Sequence, residues 1–286
     1  MVLFNRIFFY FRKNLLQWMI NNKGREKIMA LLQVNAFSNV LEMEVMLDVI
    51  LPQETKKTFG TSTKGTTEDV AVLYLLHGMN GNHSVWQRRT AIERYVSDKG
   101  LAVIMPSTDL GWYTDTTYDM KYWTFIAEEL PNICHELFPQ LTKKRAKTFA
   151  AGLSMGGYGA VKLGLKKPEN FAAIASLSGG LTIAEGINQL LEIRSKAYWE
   201  GIFGPLEEIK GSENDLIHLI ETLDGSQAPK FYLTCGTEDL IYQASAYTTK
   251  KMRENGYDVV FEDGPGEHDW LFWDDWIQRV LNWLPL

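Results

Sequence analysis

Apolar and polar positions divide the chain into two kinds of segment that alternate along most of its length. Short continuous apolar runs, such as Val70–Leu76 and Leu101–Met105, are typical of strands buried on both faces. Longer stretches with apolar residues three or four positions apart, such as Ser84–Lys99 and Met155–Lys167, predict helices. Because strands and helices alternate, the pattern predicts an α/β fold with a mainly parallel sheet covered by helices on both faces.

The same alternation continues to the C-terminus. The remaining predicted strands are Lys147–Ala150, Phe171–Leu177, Lys230–Thr234 and Asp258–Glu262, and the remaining predicted helices are Lys121–Phe138 (with a kink or break at Pro131), Gln243–Asn255 and Asp269–Asn282. Alternating apolar residues over 40–51 predict an antiparallel pair or one long half-buried strand. Residues 181–228 interrupt the rhythm and predict a cap-like insertion over the carboxyl edge of the sheet.

Residues 1–28 differ from the rest of the chain in charge. They hold six bases and one acid, whereas residues 29–286 hold 23 bases and 34 acids, a net charge of −11. The segment is a poor signal peptide, because Arg12 and Lys13 interrupt its apolar run, and it is too short and charged for a transmembrane helix. A basic interfacial helix fits it. The preferred hypothesis is that Met29 is the native start, which makes residues 1–28 an upstream extension. The alternation of strands and helices predicts that residues 29–286 form a single domain.

Composition excludes several classes of protein. The 286 residues are 45% hydrophobic with a formal net charge of −6, which provides a large core and excludes global disorder. The acidic balance argues against nucleic acid or an anionic membrane as the main partner. Stable membrane insertion is not expected either. Cys134 and Cys235 are too few for a disulfide framework. A cytoplasmic location fits, although an exported protein poor in cysteine would look the same, and a homo-oligomer is left open.

The pentapeptide Gly152–Gly156, GLSMG, predicts a nucleophile. It is a G-x-S-x-G pattern between a predicted strand and a predicted helix, and a sharp turn there would lift the Ser154 hydroxyl to the helix N-terminus. Glycines are needed because the turn brings neighbouring backbone too close for a Cβ. An idle serine in a glycine-rich turn is the alternative.

Two further residues follow strands later in the chain. Asp239 lies just past Lys230–Thr234, and His268 just past Asp258–Glu262. The three residues occur in the chain order Ser154, Asp239, His268, which is a known order of nucleophile, orienting acid and base. We therefore expect His268 to accept the Ser154 proton and Asp239 to orient the imidazole. Glu238 is the rival acid.

A loop rich in histidine and glycine follows the buried strand that ends at Leu76. Its residues 77–83 read HGMNGNH, and the backbone N–H groups of Met79 and Met155 are the predicted donors of an oxyanion hole. Since these donors are backbone groups, the methionine side chains are replaceable. His77 is expected to be structural, and so is His83.

Five segments together carry a family resemblance: LYLLHGMNGNHSVW, GWYTD, GLSMGGYGA, GTED and GEHDW. They resemble the esterase D branch of the α/β hydrolases, most closely its bacterial tributyrin esterases, from about residue 35 to the C-terminus. The resemblance implies a serine carboxylesterase for short acyl chains, with Ser154, Asp239 and His268 as triad, Met79 and Met155 as oxyanion donors, and no metal or cofactor. S-formylglutathione hydrolases of the branch usually have a cysteine where this chain has Asn80 and Gly81.

Substrate choice is the least defined feature. Trp112, Tyr113, Trp199 and Phe203 are candidate pocket residues for a small-molecule ester, but the spacing of Trp199 and Phe203 equally suits the buried face of a short helix. Alternatives to a tributyrin-type esterase are an S-formylglutathione hydrolase, a feruloyl or acetyl esterase, and a transacylase that uses the same triad. A binding protein on a hydrolase scaffold is disfavoured, because such scaffolds usually lose a triad member.

Overall fold

The computed structural model describes residues 27–54 and 68–286. The strands are β1 (Lys27–Ser38), β2 (Met43–Glu54), β3 (Val72–Leu76), β4 (Ala102–Pro106), β5 (Thr148–Leu153), β6 (Ala173–Leu177), β7 (Lys230–Gly236) and β8 (Val259–Gly264). The α-helices are α1 (Val85–Arg89), α2 (Ile92–Ser97), α3 (Tyr122–Thr124), α4 (Leu130–Leu137), α5 (Met155–Lys166), α6 (Ile187–Ile193), α7 (Lys196–Phe203), α8 (Leu216–Thr222), α9 (Tyr242–Glu254) and α10 (Trp270–Trp283). A π-helical turn, Phe125–Glu129, lies between α3 and α4, and short 3₁₀ turns occupy Arg145–Lys147, Leu206–Glu208 and Gly225–Gln227.

One eight-stranded sheet organises the described residues, in the order β1-β2-β4-β3-β5-β6-β7-β8. The pairs β1–β2 and β2–β4 are antiparallel, and the strands from β4 to β8 along the sheet are parallel. This confirms the predicted α/β fold. Since the carboxyl ends of parallel strands share one edge, the loops after β3, β5, β7 and β8 meet there.

The core lies on both faces of this sheet. Every residue of β3 is buried, with Val72 and Tyr74 in one hydrophobic cluster and Leu73 and Leu75 in the other. The first cluster includes most of the apolar residues of α5 and the second those of α10. A strand buried on both faces explains the continuous apolar runs in the sequence.

Two predicted helices are interrupted in the structure. The helix predicted over Ser84–Lys99 is α1 and α2, separated at Thr90, whose backbone is extended. The helix predicted over Lys121–Phe138 contains the π-helical turn just before Pro131. Proline has no N–H, and in a regular helix its ring would clash with the carbonyl four residues earlier. The wider π turn accommodates it.

Residues 40–51, predicted as an antiparallel pair or one long half-buried strand, contain most of the single long strand β2, which forms a β-hairpin with β1. The turn lies at 39–42, and β2 pairs with β1 from Met43 opposite Ser38 to Glu54 opposite Lys27. Glu129 accepts a hydrogen bond from the Asn39 backbone N–H at 2.7 Å and so ties the hairpin turn to the π-helical turn. The predicted boundary at residue 29 falls inside β1, and residues 1–26 of the predicted extension lie outside the described residues.

Residues 181–228, predicted as an insertion, hold α6, α7 and α8 between β6 and β7. The side chains of Ser195 and Asp215 cap the N-termini of α7 and α8 by accepting backbone N–H bonds. In the described ranges, no helix is both long and apolar enough to cross a membrane.

Lys162 is fully buried in α5, and the hydrogen-bond acceptors that it has among residues 27–54 and 68–286 are uncharged. Its Nζ donates to Asn214 Oδ1 at 2.6 Å, to Thr114 Oγ1 at 3.1 Å and to the Tyr113 carbonyl at 3.3 Å. Burial, reinforced by repulsion from Lys166, lowers the pKa of Lys162 to about 7. These bonds join α5 to the loop after Trp112 and to the segment before α8.

We expect Lys162→Met to remove a pH dependence from the free energy of unfolding. The unfolded chain keeps the Lys162 proton up to an ordinary pKa of 10.5, whereas the folded chain releases it near 7. Between these values the unfolded state binds one more proton, so the stability of the wild type rises with pH. In denaturant titrations, the free energy of unfolding of the wild type relative to the variant should rise by roughly 4 kcal/mol between pH 6 and pH 10.

The control for this prediction is Lys250→Met, at an exposed lysine of α9 that pairs with Glu254. Its stability difference from the wild type should be the same at both pH values. If the stability difference between Lys162→Met and the wild type were also the same at both pH values, the buried amine would titrate alike in the folded and unfolded chains.

Candidate active site

Ser154 lies in the sharp turn between β5 and α5. Its backbone has φ 51° and ψ −117°, a conformation that costs a non-glycine residue about 1–3 kcal/mol. Hydrogen bonds hold the turn: Ser154 N donates to the Leu177 carbonyl at 2.9 Å, and Ser154 O accepts from Gly180 N at 3.2 Å. The serine is thus fixed at the carboxyl edge of the sheet.

Two glycines make this turn sterically feasible. A Cβ on Gly152 would lie 2.3 Å from the Gly156 carbonyl oxygen, and a Cβ on Gly156 would lie 2.4 Å from the Leu76 carbonyl oxygen. Both contacts are with backbone, so no side-chain movement can relieve them. The G-x-S-x-G spacing therefore reflects close packing of the turn against β3.

Three predicted residues form one hydrogen-bonded chain. Ser154 Oγ lies 3.1 Å from His268 Nε2, and His268 Nδ1 lies 2.8 Å from Asp239 Oδ2. The Asp239 side chain is fully buried, whereas that of His268 is 35% exposed. The loops after β5, β7 and β8 supply the three side chains, so residues distant in sequence meet at one sheet edge.

Asp239 is held as a carboxylate. Burial by itself would raise the pKa of Asp239, but hydrogen bonds from His268 and from the Ile241 backbone N–H, together with the electrostatic attraction of His268, outweigh it and lower the pKa below its ordinary value. Asp239 Oδ1 accepts from Ile241 N at 3.0 Å, which leaves Oδ2 for the imidazole. Its negative charge faces His268 Nδ1 and favours the tautomer with the proton on that nitrogen.

Glu238, the rival acid, has another partner. Its Oε2 accepts from the Gly266 backbone N–H at 2.6 Å, and the Glu238 backbone N–H donates to the Gly266 carbonyl at 3.1 Å. The backbone bond from Gly266 lowers the pKa of Glu238. Glu238 therefore joins the loop that carries Asp239 to the loop that carries His268.

The backbones of Met79 and Met155 lie close to the Ser154 turn. Met155 is the first residue of α5, so its N–H is among those without an acceptor inside the helix. Met79 follows Gly78, where an added Cβ would lie 3.2 Å from Ser154 Cβ. Both backbones thus lie next to the Ser154 turn, as an oxyanion hole requires.

His77 supports this loop rather than titrating in it. His77 Nε2 accepts from the Thr108 backbone N–H at 3.1 Å, so the ring proton lies on Nδ1, which donates to the Gly78 carbonyl at 2.8 Å. Burial lowers the pKa of His77 to about 4. The neutral imidazole connects the Gly78 turn to the loop after β4. His83 has a similar local role, with Nδ1 3.0 Å from Ser107 Oγ.

The structure places the four candidate pocket aromatics in the core. Tyr113 and Trp199 are fully buried, and Trp112 and Phe203 are 4% and 9% exposed. Trp112 packs edge-on against Trp199 at 5.4 Å and against Phe203 at 6.0 Å between ring centroids. Tyr113 donates to the His77 carbonyl at 2.9 Å. Tyr113 and Trp199 therefore offer no surface to a substrate in this packing, which corrects their predicted role; the buried-face alternative describes Trp199 and Phe203.

Two residues that the sequence pattern does not single out lie behind His268 and Asp239. The Trp273 ring stands edge-on to the His268 imidazole, 4.9 Å between centroids. Its Nε1–H donates to Ser178 Oγ at 3.2 Å. Trp273 could have been found in the sequence from its position five residues after His268, whereas no motif near Ser178 marks that residue. Among the described residues, no group of three or more His, Cys, Asp or Glu side chains could hold a metal ion.

Comparison with known proteins agrees with this geometry. The Esterase family model matches residues 38–284. An acetyl esterase of Caldicellulosiruptor saccharolyticus is 33% identical over 264 residues, covering 90% of this chain and 98% of the relative.

Two solved structures from Staphylococcus aureus are similar over almost their whole length. The fluorophosphonate-binding serine hydrolase F, with substrate bound, has a TM-score of 0.80 at 33% identity and covers 91% of this chain and 99% of its own. An S-formylglutathione hydrolase has a TM-score of 0.78 at 33% identity and covers 90% and 99%. The Ser154 turn lies at the edge of the sheet, and these matches extend over about nine-tenths of the sequence. The chain therefore belongs to the Esterase family, in the esterase D branch of the α/β hydrolases, and is a carboxylic ester hydrolase.

Proposed function

We propose that the protein is a serine carboxylesterase for short-chain acyl esters of the acetyl and tributyrin type, with Ser154, His268 and Asp239 as its catalytic triad. The observation that carries the proposal is the unbroken chain of hydrogen bonds from Ser154 Oγ through His268 to Asp239 Oδ2. The proposal draws further support from the acetyl esterase relative and from the sequence resemblance.

The proposed mechanism has two half-reactions. His268 Nε2 takes the Ser154 proton as Oγ attacks the ester carbonyl, and the Met79 and Met155 amides donate to the oxyanion of the tetrahedral intermediate. The intermediate collapses, the C–O bond to the alcohol breaks, and His268 returns the proton to the leaving oxygen. Water then attacks the acyl-Ser154 ester with His268 as base, releasing the acid and restoring the hydroxyl.

Asp239 acts through His268 in this scheme. The buried carboxylate keeps the Nδ1–H tautomer, so Nε2 is free to accept, and it stabilises the imidazolium that forms in each half-reaction. Hydrogen bonds between Glu238 and Gly266 join the loop of Asp239 to the loop of His268 and support the relative position of the two side chains.

A thioesterase is the second candidate. The similar S-formylglutathione hydrolase of Staphylococcus aureus favours it. Asn80 and Gly81, where such enzymes usually have a cysteine, favour the oxygen ester instead.

We further propose a cytoplasmic location. Cys134 and Cys235 are buried free thiols, and a reducing cytoplasm keeps thiols in this form.

A substrate panel tests the proposal. We expect p-nitrophenyl acetate and butyrate to give the highest kcat/KM, and octanoate, methyl ferulate and S-formylglutathione to fall at least about tenfold below them. Rapid mixing should show a burst of one p-nitrophenol per chain, because the acyl-enzyme accumulates when water attack is slower than acylation. A preference for S-formylglutathione would assign the thioesterase instead, and transfer of most acyl groups to added butanol would assign a transacylase.

A further inference from the structure

The loop that follows β4 holds Tyr113 in a strained and fully buried position. Tyr113 has a φ of 49° and Trp112 a φ of 50°, both in the left-handed region that side-chain-bearing residues avoid. Tyr113 has no exposed surface, and burial raises the pKa of its phenol well above the ordinary value, so the hydroxyl keeps its proton. Strain of this kind persists only where the surroundings fix the conformation, and it clusters at functional sites.

The ring of Tyr113 packs against the helix that follows Ser154. Gly159 lies in α5, five residues after Ser154, and a Cβ added to it would lie 2.5 Å from the ring atoms Cγ and Cδ2 of Tyr113. The Tyr113 carbonyl accepts from Lys162 Nζ of the same helix at 3.3 Å. Because only a glycine allows this close approach, α5 fixes the position from which the phenol hydroxyl can reach other groups.

The hydroxyl of Tyr113 bonds to the backbone of residues 77–83, the predicted oxyanion loop. It donates to the His77 carbonyl at 2.9 Å. The same carbonyl lies next to the first turn of α5, where a Cβ added to Gly156 would be 2.7 Å from it. The loop after β4 also holds the His77 ring, since the Thr108 N–H donates to His77 Nε2 at 3.1 Å. One loop therefore fixes both the carbonyl and the imidazole of His77.

Two consecutive peptide groups are fixed in this way before Met79. The Tyr113 hydroxyl bonds the carbonyl of the His77–Gly78 peptide, and His77 Nδ1 donates to the carbonyl of the Gly78–Met79 peptide at 2.8 Å. A trans peptide group is planar, so its N–H points away from its C=O. The bond to the Gly78 carbonyl thus sets the direction of the Met79 N–H, and the Tyr113 bond fixes the peptide group that precedes it.

We propose that Tyr113 is a positioning residue, whose hydroxyl holds the His77 carbonyl and thereby keeps the Met79 N–H directed at the oxyanion. The inference rests on the proposed function and deepens it. An oxyanion hole lowers the barrier because its donors are already in place, so that no reorganisation is needed during the reaction. Tyr113 packs against α5, which begins with the Met155 donor, and bonds the loop that carries the Met79 donor. It therefore holds the two donors in register.

Tyr113→Phe is the direct test, because it removes the hydroxyl and keeps the ring that packs against Gly159. We expect kcat for p-nitrophenyl acetate to fall roughly tenfold, less than the about 10²–10³-fold that the loss of a whole oxyanion donor costs, with KM within about twofold. A trifluoromethyl ketone, which forms a tetrahedral oxyanion on Ser154, should bind more weakly by the same factor, because it uses the same two donors. A merely structural role would not change these two constants together.

Tyr158→Phe is the matched control. Tyr158 is also fully buried, in α5, and its hydroxyl donates to the backbone carbonyl of Asn214 at 3.0 Å. Each variant removes the O–H donor of one backbone carbonyl, so the two should lose similar stability. Because Asn214 lies in the insertion, outside the oxyanion loop, we expect kcat and the inhibition constant of the ketone to stay within about twofold of wild type. Equal losses in the two variants would overturn the proposal.

A second pair of variants displaces the Tyr113 ring without removing its hydroxyl. The new Cβ in Gly159→Ala presses on the ring at 2.5 Å, whereas that in Gly164→Ala, in the same helix, presses on Ile174 at 2.6 Å. Both variants strain α5 against a side chain, so a general displacement of the helix is common to them. We expect kcat to fall at least about fivefold in Gly159→Ala and to stay within about twofold in Gly164→Ala. Equal kcat values in the two variants would contradict a role for Tyr113.

A measurement without substrate keeps this test separate from that of the esterase. Amide hydrogen exchange over residues 77–81, followed by mass spectrometry, reports how firmly the oxyanion loop is held in the free protein. We expect exchange there to be roughly threefold faster or more in Tyr113→Phe and unchanged in Tyr158→Phe. Unchanged exchange in Tyr113→Phe overturns the positioning role even in an active esterase. A wild type that hydrolyses no ester would instead overturn the proposed function.

Discussion

Ser154→Ala is expected to abolish ester hydrolysis, lowering kcat by roughly 10⁵-fold or more. The variant has no atom that can form the acyl-enzyme, so the reaction retains only the contributions of the oxyanion hole and of binding. Burst and steady-state release from p-nitrophenyl acetate would both disappear. The fold should persist, because the turn is held by backbone bonds from Ser154 N and O, which alanine keeps.

The control for this prediction is Ser195→Ala, which removes the N-cap hydroxyl of α7 in the insertion. It should leave kcat within about twofold while lowering stability by about 1 kcal/mol. Both variants should give the far-ultraviolet circular dichroism of the wild type. Turnover above about one-hundredth of wild type in folded Ser154→Ala would refute Ser154 as the nucleophile.

The local parts of the site could be predicted from the sequence because their signals are local. The Ser154 turn lies where a continuous apolar strand meets a helix with small residues at its start, and close backbone contacts explain why Gly152 and Gly156 flank the serine. Asp239 and His268 each follow a recognisable strand, and parallel strands bring their carboxyl ends to one edge. Chain order and strand ends therefore pointed to Ser154, His268 and one of two adjacent acids, and the structure joins Asp239 rather than Glu238 to His268.

Features set by tertiary packing could not be predicted in the same way. An aromatic residue at helical spacing has the same pattern in a pocket as in a core, and only the assembled insertion shows that Trp199 is fully buried. The sequence predicts a kink or break at Pro131, but not that it takes the form of a π-helical turn before the proline, because that form depends on the surrounding packing. Ser178 carries no local mark, because its partners Trp273 and Cys235 come from other elements, α10 and β7.

Asp239→Asn is expected to lower kcat by roughly 10⁴-fold. An asparagine amide oriented to donate would pair with an unprotonated Nδ1 and so place the imidazole proton on Nε2, which could then no longer accept the Ser154 proton. The variant also removes the negative charge that stabilises the imidazolium in each half-reaction. Measurement of kcat for p-nitrophenyl acetate at a fixed pH gives the effect directly, with KM expected to change little.

The neighbouring acid provides a matched control at one residue's distance. In Glu238→Gln, the glutamine side-chain oxygen can still accept the Gly266 N–H that Glu238 Oε2 accepts at 2.6 Å, so the join between the two loops survives the loss of charge. We expect kcat to stay within about threefold of wild type. The two acids are adjacent and alike in chemistry, and they differ in where their oxygens point, toward His268 Nδ1 or toward Gly266 N. A large loss in Glu238→Gln together with a small one in Asp239→Asn would assign the orienting acid to Glu238, because the effect follows the carboxylate that touches the imidazole.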